Sequence, residues 1–133
     1  FRLLAKEPCQ SVLLFEAAID LLSYATLLKA QGKDYTAENL LSLSGVYQPK
    51  KESKDSKIPI ALSVFLEKNP LIKTIHLHLD NDKTGRLCAN TLKELLRNKY
   101  EVFDEPPKKG KDYNDYLCIQ LGIYKSKERS YER

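Results

Sequence analysis

The stretch IKTIHLHLDNDKTGR, residues 72–86, passes from an apolar run to a polar one and decides the fold of the chain. Its first part, 72–80, is rich in Ile and Leu and ends in an acid, which predicts a buried strand. Over 84–99, apolar side chains recur at helical spacing, as Cys88 and Leu92 illustrate. A strand followed closely by a helix is typical of a domain built on a parallel sheet.

The same alternation continues on both sides of this stretch. Apolar runs predict further strands over 11–16, 39–44 and 100–103, and helical spacing predicts further helices over 17–31, 60–69 and 112–121. The order β-α-β-α-β-α-β-α predicts an α/β domain with a compact, four-stranded, mainly parallel sheet flanked by helices. The carboxyl ends of its strands then meet at one edge, where open α/β sheets bind ligands.

The composition limits the classes of protein that fit. Of 133 residues, 42% are hydrophobic and 30% are charged, which is typical of a globular domain and not of a disordered chain. Glu16 and Asp20 interrupt the best candidate for a membrane span, so no membrane partner is expected. The net charge of +4 is compatible with a nucleic-acid partner and too small to establish one.

Three scattered cysteines, Cys9, Cys88 and Cys118, include no C-x-x-C pair. This spacing predicts buried thiols in a reducing, cytoplasmic compartment, with neither a disulfide framework nor a zinc site. We expect one domain over 1–123 and a charged tail or linker over 124–133, with a polar loop over 48–57. Because the sequence contains no Met, we expect it to be a piece of a longer protein.

Acidic residues follow three of the four predicted strands. The acids that the topology brings to one edge are Glu16, Asp20, Asp80, Asp82, Asp112 and Asp115. Crowded carboxylates raise one another's pKa and destabilise the fold unless a cation or hydrogen-bond donors compensate. Oxygen ligands suit a hard cation, with Mg²⁺ the default and Mn²⁺ its usual substitute. At single positions, capping of a helix N-terminus is an open alternative.

Three local patterns compete for DNDKTG at 80–85. A calcium loop fails, because its twelfth position is Thr91 instead of Glu and a strand precedes it. The phosphatase pattern D-x-D-x-T fits the strand context. The segment HLHLDN at 76–81 nearly matches the H-x-H-x-D-H of two-zinc hydrolases, but the chain has no third His to complete it. We expect His76 and His78 to be packed or hydrogen-bonded structural residues.

Three short blocks occur in a fixed order along the chain: FEAAID at 15–20, LDNDKTGR at 79–86 and GKDYND at 110–115. Their order and spacing resemble the TOPRIM domain shared by topoisomerases, bacterial-type primases and some nucleases. The turn at 43–45 agrees with that resemblance. The third block is most similar to the primase-type TOPRIM domains of plasmids, phages and integrative elements.

The resemblance implies a Rossmann-like α/β domain with assigned site residues. Glu16 takes the family's role in general acid–base catalysis, and Asp80 and Asp82 take the role of holding Mg²⁺. Asp112 matches the acid that primases add after the fourth strand. The supporting or further metal-ligand candidates are Asp20, Asn114 and Asp115.

The sequence departs from the family pattern at three positions. Ala17 stands where primases often have Gly, Thr84 where a small Ala is common, and Asn114 where the primase segment has Asp. Asp115 is the substitute nearest to Asn114, although one residue along a helix turns a side chain by about 100°.

The resemblance also implies Mg²⁺-dependent phosphoryl or nucleotidyl transfer on nucleic acid. The leading hypothesis is the catalytic domain of a DNA primase-like protein, which joins nucleoside triphosphates on a single-stranded DNA template during replication of a mobile genetic element. The alternatives are a metal-dependent nuclease and a non-catalytic module that binds nucleic acid or nucleotides. Such primases need a zinc module and a template-holding subdomain as well, so we expect these residues alone to be weak or inactive. The cations expected nearest the nucleic acid or triphosphate are Arg86, Lys108, Lys109 and Lys111.

Overall fold

The structure is a computed structural model that describes residues 1–43 and 57–123. Its elements are β1 (Arg2–Leu3), β2 (Ser11–Phe15), α1 (Ala18–Ala30), β3 (Asn39–Ser42), α2 (Ile60–Lys68), β4 (Thr74–Leu77), α3 (Lys83–Leu96), β5 (Glu101–Asp104) and α4 (Tyr113–Gln120). The predicted tail over 124–133 and nearly all of the predicted loop over 48–57 lie outside the described residues, as does most of the turn at 43–45.

The five strands form one sheet in the order β1-β3-β2-β4-β5. Strand β2 pairs in parallel with β3 and β4, and β4 pairs in parallel with β5, so the predicted α/β class with a mainly parallel sheet is confirmed. The sheet has five strands instead of four, because β1 adds an antiparallel edge strand against β3. At two residues, β1 is too short to show the alternation by which a strand is recognised.

Each face of the sheet buries an apolar cluster, and β2 contributes to both. Val12 and Leu14 pack in the cluster that includes α2 and α3, whereas Leu13 and Phe15 pack in the cluster that includes α1 and Tyr113 of α4. Successive side chains of a strand point to opposite faces, so a strand covered on both sides appears as a continuous apolar run. This burial on both faces explains why β2 was recognisable from the sequence.

Strand β4 ends at Leu77, three residues before the predicted end at Asp80. Its register pairs Leu77 with Leu14, and β2 ends one residue later, so the ladder soon runs out of partners. The chain from His78 to Asp80 nevertheless stays buried, and it delivers Asp80 to the carboxyl edge of the sheet. Among the described residues, no helix is long and apolar enough to cross a lipid bilayer.

Candidate metal centre

Three acids from separate segments meet at the carboxyl edge of the sheet. Asp20 lies in the first turn of α1, Asp80 follows β4, and Asp112 is the N-cap of α4. One carboxylate oxygen from each lies within 4.8 Å of those of the other two. Asp20 and Asp80 are buried and Asp112 is half-buried. We call these three residues the acidic trio.

Glu16, directly after β2, extends the acidic trio by a hydrogen bond with Asp80. Burial raises the pKa of Glu16, and the negative charges of Asp82 and Asp20 raise it further. Burial and the charge of Glu16 together raise the pKa of Asp80 to about 7. Two carboxyl groups can share a hydrogen bond only while one carries a proton, so the pair is poised to exchange that proton for a cation near neutral pH.

Asp20 is one of the three close carboxylates, whereas the sequence indicated it only as a supporting or possible metal ligand. Burial raises its pKa to about 7, and the charges of Asp112 and Asp80 add to this effect. The backbone N–H of Asn114 donates to Asp20 Oδ1 at 3.2 Å, which lowers the pKa in part and fixes the carboxylate. Asn114 is itself held, because Ser23 Oγ lies 3.1 Å from its Oδ1. The predicted supporting residue Asn114 therefore ties α4 to α1 beside the trio.

Asp82 and Asp112 both cap helices, which was the open alternative for single acids. Asp82 Oδ1 accepts from the N–H of Gly85 at 2.7 Å, and Asp112 Oδ1 accepts from the N–H of Asp115 at 2.8 Å. Asp112 still contributes an oxygen to the acidic trio. Asp82, in contrast, is not among the three mutually close carboxylates of the described residues, and its Oδ2 lies 3.8 Å from Lys111 Nζ.

The backbone around the trio leaves little space. A Cβ at Gly85 would overlap the carbonyl oxygen of Asp80, so glycine is what allows α3 to begin against the end of β4. Gly110 has φ +77°, and a Cβ there would come within 2.5 Å of Asp115 Cβ. The N–H of Asn81 donates to the carbonyl oxygen of Lys111 at 2.6 Å, which links the loop after β4 to the loop before α4.

The predicted cations have different surroundings. Arg86 donates from Nη1 to both carboxylate oxygens of Asp104 at 2.9 and 2.8 Å, so its guanidinium braces α3 against β5. The charge of Lys111 lowers the pKa of Glu16 in part, which places this ammonium beside the acids. Lys109 Nζ donates to Gln120 Oε1 at 3.3 Å, away from the trio. Lys108 lines a separate cavity of about 390 Å³, described below.

The remaining predicted residues hold the loop around the trio in place. Asp115 Oδ2 accepts from the backbone N–H of Lys111 at 3.1 Å, and its charge contributes to the raised pKa of Asp20.

The two histidines share one carboxylate partner. His76 and His78 both hydrogen-bond to Glu105 Oε1, at 2.9 and 3.0 Å, which confirms that they are hydrogen-bonded. The sequence analysis did not single out Glu105, because no motif marks the position after β5.

The donor set of the acidic trio fits a hard divalent cation. All three donors are carboxylate oxygens, which Mg²⁺ and Mn²⁺ prefer over nitrogen or sulfur. Among the described residues, no Lys or Arg side chain forms an ion pair with Asp20, Asp80 or Asp112. Backbone N–H groups donate to Asp20 and Asp112, and a divalent ion would relieve the crowded negative charge further.

The chain is similar to one known protein family over most of its length. A sequence profile of the family described as Toprim-like matches residues 13–117, a span that includes Glu16 and all of the acidic trio. A solved structure of a protein from Aquifex aeolicus is similar at 22% identity and a TM-score of 0.45, over 71% of this chain and 68% of that chain. A search of curated proteins found no match. Because the family match spans well over half of the chain, this protein belongs to the Toprim-like family.

Proposed function

We propose that this domain catalyses metal-dependent phosphoryl or nucleotidyl transfer on nucleic acid, as the catalytic TOPRIM domain of a DNA primase-like protein. The observation that carries the proposal is the acidic trio, whose carboxylate oxygens lie within 4.8 Å of one another beside Glu16. Membership of the Toprim-like family supports the wider class of metal-dependent enzymes that act on nucleic acid.

In this proposal Asp20, Asp80 and Asp112 hold Mg²⁺, with Mn²⁺ as its substitute. When bound, the ion supplies charge neutralisation at the phosphate oxygens and alignment of the attacking group. Asp82 is retained as a candidate ligand through Oδ2, because its Oδ1 is occupied by the N–H of Gly85. The supporting roles of Asn114 and Asp115 are to fix the loop and the helix that carry Asp112.

Glu16 is the group proposed to move a proton at the 3′ oxygen of the nucleic acid. A general base is most effective when its pKa lies close to the working pH. Burial raises the pKa of Glu16 in that direction, and in the metal-free chain a hydrogen bond with Asp80 places its carboxyl group beside the trio. A carboxyl at this place accepts a proton from an attacking hydroxyl and returns it in the reverse step.

The proposed partners are a single-stranded DNA template and nucleoside triphosphates, bound with the help of the parent protein in the cytoplasm. Lys111 is the cation with the best support, because its charge acts on Glu16. Lys108 and Lys109 are exposed on the same loop and are proposed to contact phosphates farther along the chain of the nucleic acid. Arg86 is assigned an indirect part, since Asp104 already occupies its guanidinium.

Supplying the parent protein with labelled single-stranded DNA, nucleoside triphosphates and Mg²⁺ tests the proposal. Extension of the strand supports a primase, and degradation supports the alternative nuclease, in which water replaces the attacking hydroxyl. The variant Glu16→Gln should bind DNA and lose turnover, whereas Glu67→Gln, which changes an exposed carboxylate of α2, should keep both. If the wild type binds DNA but neither extends nor degrades it, the domain is a non-catalytic binding module and the proposed catalysis is wrong. Vigorous primer synthesis by these 133 residues alone would contradict the expectation that they are weak in isolation.

A further inference from the structure

A second group of metal-ligand side chains lies on the face of the sheet that α1 and α4 cover in part. His76 belongs to β4, His78 follows that strand, and Glu105 follows β5. The parallel register pairs His76 with Phe103 and Leu77 with Asp104, so Glu105 comes level with His78. Glu105 Oε1 lies 2.9 Å from His76 Nδ1 and 3.0 Å from His78 Nε2, and all three ligand atoms lie within 4.8 Å of one another.

We propose that His76, His78 and Glu105 form a binding site for a first-row transition-metal ion, with Zn²⁺ as the first choice. Two imidazole nitrogens and one carboxylate oxygen are the donor set of zinc and related ions, whereas Mg²⁺ prefers oxygen alone. Around a tetrahedral ion with bonds of about 2.1 Å, neighbouring ligand atoms lie about 3.4 Å apart. The separations of 2.9 and 3.0 Å are hydrogen-bond lengths, so both must widen by about half an ångström when an ion takes the place of the shared protons.

The three side chains are held in place by their surroundings. Tyr113 Oη donates to the backbone carbonyl oxygen of Glu105 at 2.8 Å. The ring of His76 stacks on Phe103, with centroids 5.2 Å apart and an interplanar angle of 22°. The ring of His78 contacts Tyr24, with centroids 4.8 Å apart. Ligands that are already ordered lose little conformational entropy when an ion binds, which favours binding.

Solvent reaches the site, so an ion has a route to it. The side chains of His76 and Glu105 are 22% and 45% exposed. His78 and Glu105 also line the cavity of about 390 Å³, together with Lys33 and Lys108. Three protein ligands leave further coordination positions open, and these positions take water or an exogenous ligand.

No zinc site was expected from the sequence, because the three cysteines are scattered and HLHLDN lacks a third His. The two-zinc arrangement of that motif is still incomplete, and the present site is different. Its third ligand is Glu105, which stands 27 residues after His78 and reaches it only through the pairing of β4 with β5. This inference does not depend on the proposed function, since the acidic trio takes no part in it.

The test is calorimetric titration of the chain with ZnCl₂, after chelation and in buffer with excess Mg²⁺ to occupy the acidic trio. We expect one Zn²⁺ per chain. Glu105→Gln and His76→Gln should each weaken the affinity by at least about tenfold. The matched control Glu101→Gln removes the same charge from an exposed position of β5 and should bind as the wild type does. Circular dichroism of each variant checks the fold.

Two further measurements separate this site from other ligands of the chain. Co²⁺ absorption should show no thiolate charge-transfer band, because the site contains no Cys. Asp20→Asn should respond less to Mg²⁺ and retain its affinity for Zn²⁺. Unchanged zinc affinity in both site variants, a thiolate band, or no zinc binding by the wild type would each overturn the proposal.

Discussion

Glu16 and Asp80 share a hydrogen bond although both side chains are carboxylic acids. This bond lasts only while one of the two carries a proton, and burial of Asp80 together with the charge of Glu16 raises the pKa of Asp80 to about 7. A divalent cation that replaces the proton removes the same repulsion. Protonation and metal binding thus compete at this pair.

We expect millimolar Mg²⁺ or Mn²⁺ to raise the melting temperature of the chain. An ion at ten- to hundredfold excess over its Kd stabilises the fold by about 1–3 kcal/mol, because it binds the folded state alone. Asp20→Asn should reduce this shift, and the control Glu67→Gln should retain it. Thermal denaturation with and without each cation provides the measurement. A wild type that ignores both cations would contradict the assignment of the trio.

Without metal, Asp20 and Asp80 should make stability fall as the pH rises towards 7. Asp20 and Asp80 have a pKa of about 7 in the fold against an ordinary value of 3.8, so between these values the folded state holds protons that the unfolded state has released. Stability gained from these protons is present at low pH and is lost as the carboxyls ionise. Each unit of pKa difference corresponds to about 1.4 kcal/mol.

His78 acts in the opposite direction, so the comparison must use a variant. Burial lowers the pKa of His78 from its ordinary value of 6.5, and this makes the fold more stable as the pH rises to that value. Urea denaturation in EDTA at pH 5 and pH 7.5 should therefore be compared between the wild type and Asp20→Asn. From pH 5 to pH 7.5, the free energy of unfolding of Asp20→Asn should fall less, or rise more, than that of the wild type. Parallel curves for the two proteins would be inconsistent with the raised pKa of Asp20.

Gly85→Ala should destabilise the fold by about 1–3 kcal/mol or more, as overpacking does. The added Cβ overlaps the carbonyl oxygen of Asp80, which is backbone and cannot rotate away. The start of α3 must then shift, and Asp82 loses its cap on residue 85. Thr84→Ala, at the exposed neighbouring position, is the control and should be nearly neutral. Equal urea midpoints for the two variants would show that the close contact between residue 85 and the carbonyl oxygen of Asp80 does not affect the free energy of unfolding.

Arg86→Lys should lower stability by about 1 kcal/mol, because an ammonium cannot make the paired contacts of a guanidinium. Asp104→Asn should have a similar effect, and the double variant should cost less than the sum, since both changes weaken the same ion pair. Arg86→Lys also removes the contacts of Nε and Nη2 with the carbonyl oxygen of Asp80, both at 3.4 Å. Binding of single-stranded DNA should change little in either. A larger loss of DNA affinity in Arg86→Lys than in Asp104→Asn would instead indicate a direct phosphate contact.

Most of the fold was predictable from the sequence, because β2 is buried on both faces and appears as an apolar run, and β4 buries Ile75 and Leu77 at alternate positions. Their parallel order brought Glu16 and Asp80 to one edge without any knowledge of side-chain positions. Strand β1 escaped prediction because two residues carry no period. The edge was predictable from alternation and topology alone.

Alternation and topology did not predict which of the acids at this edge bring their carboxylate oxygens close together. Asp82 matched a motif, yet its Oδ1 caps α3, while Asp20 projects from the first turn of α1 into the trio. That difference depends on where each helix begins, and the sequence defines such boundaries only to within a few residues. Glu105 is a similar case, because its contact with His78 requires the register of two strands.

The bond from the Asn81 N–H to the Lys111 carbonyl oxygen joins main chain to main chain across two loops. Because neither side chain takes part, a substitution at Asn81 or Lys111 leaves this bond in place and keeps the gap between Asp80 and Asp112 at its width. The main chain therefore sets the spacing of the carboxylates, and the Lys111 side chain separately sets the charge beside them.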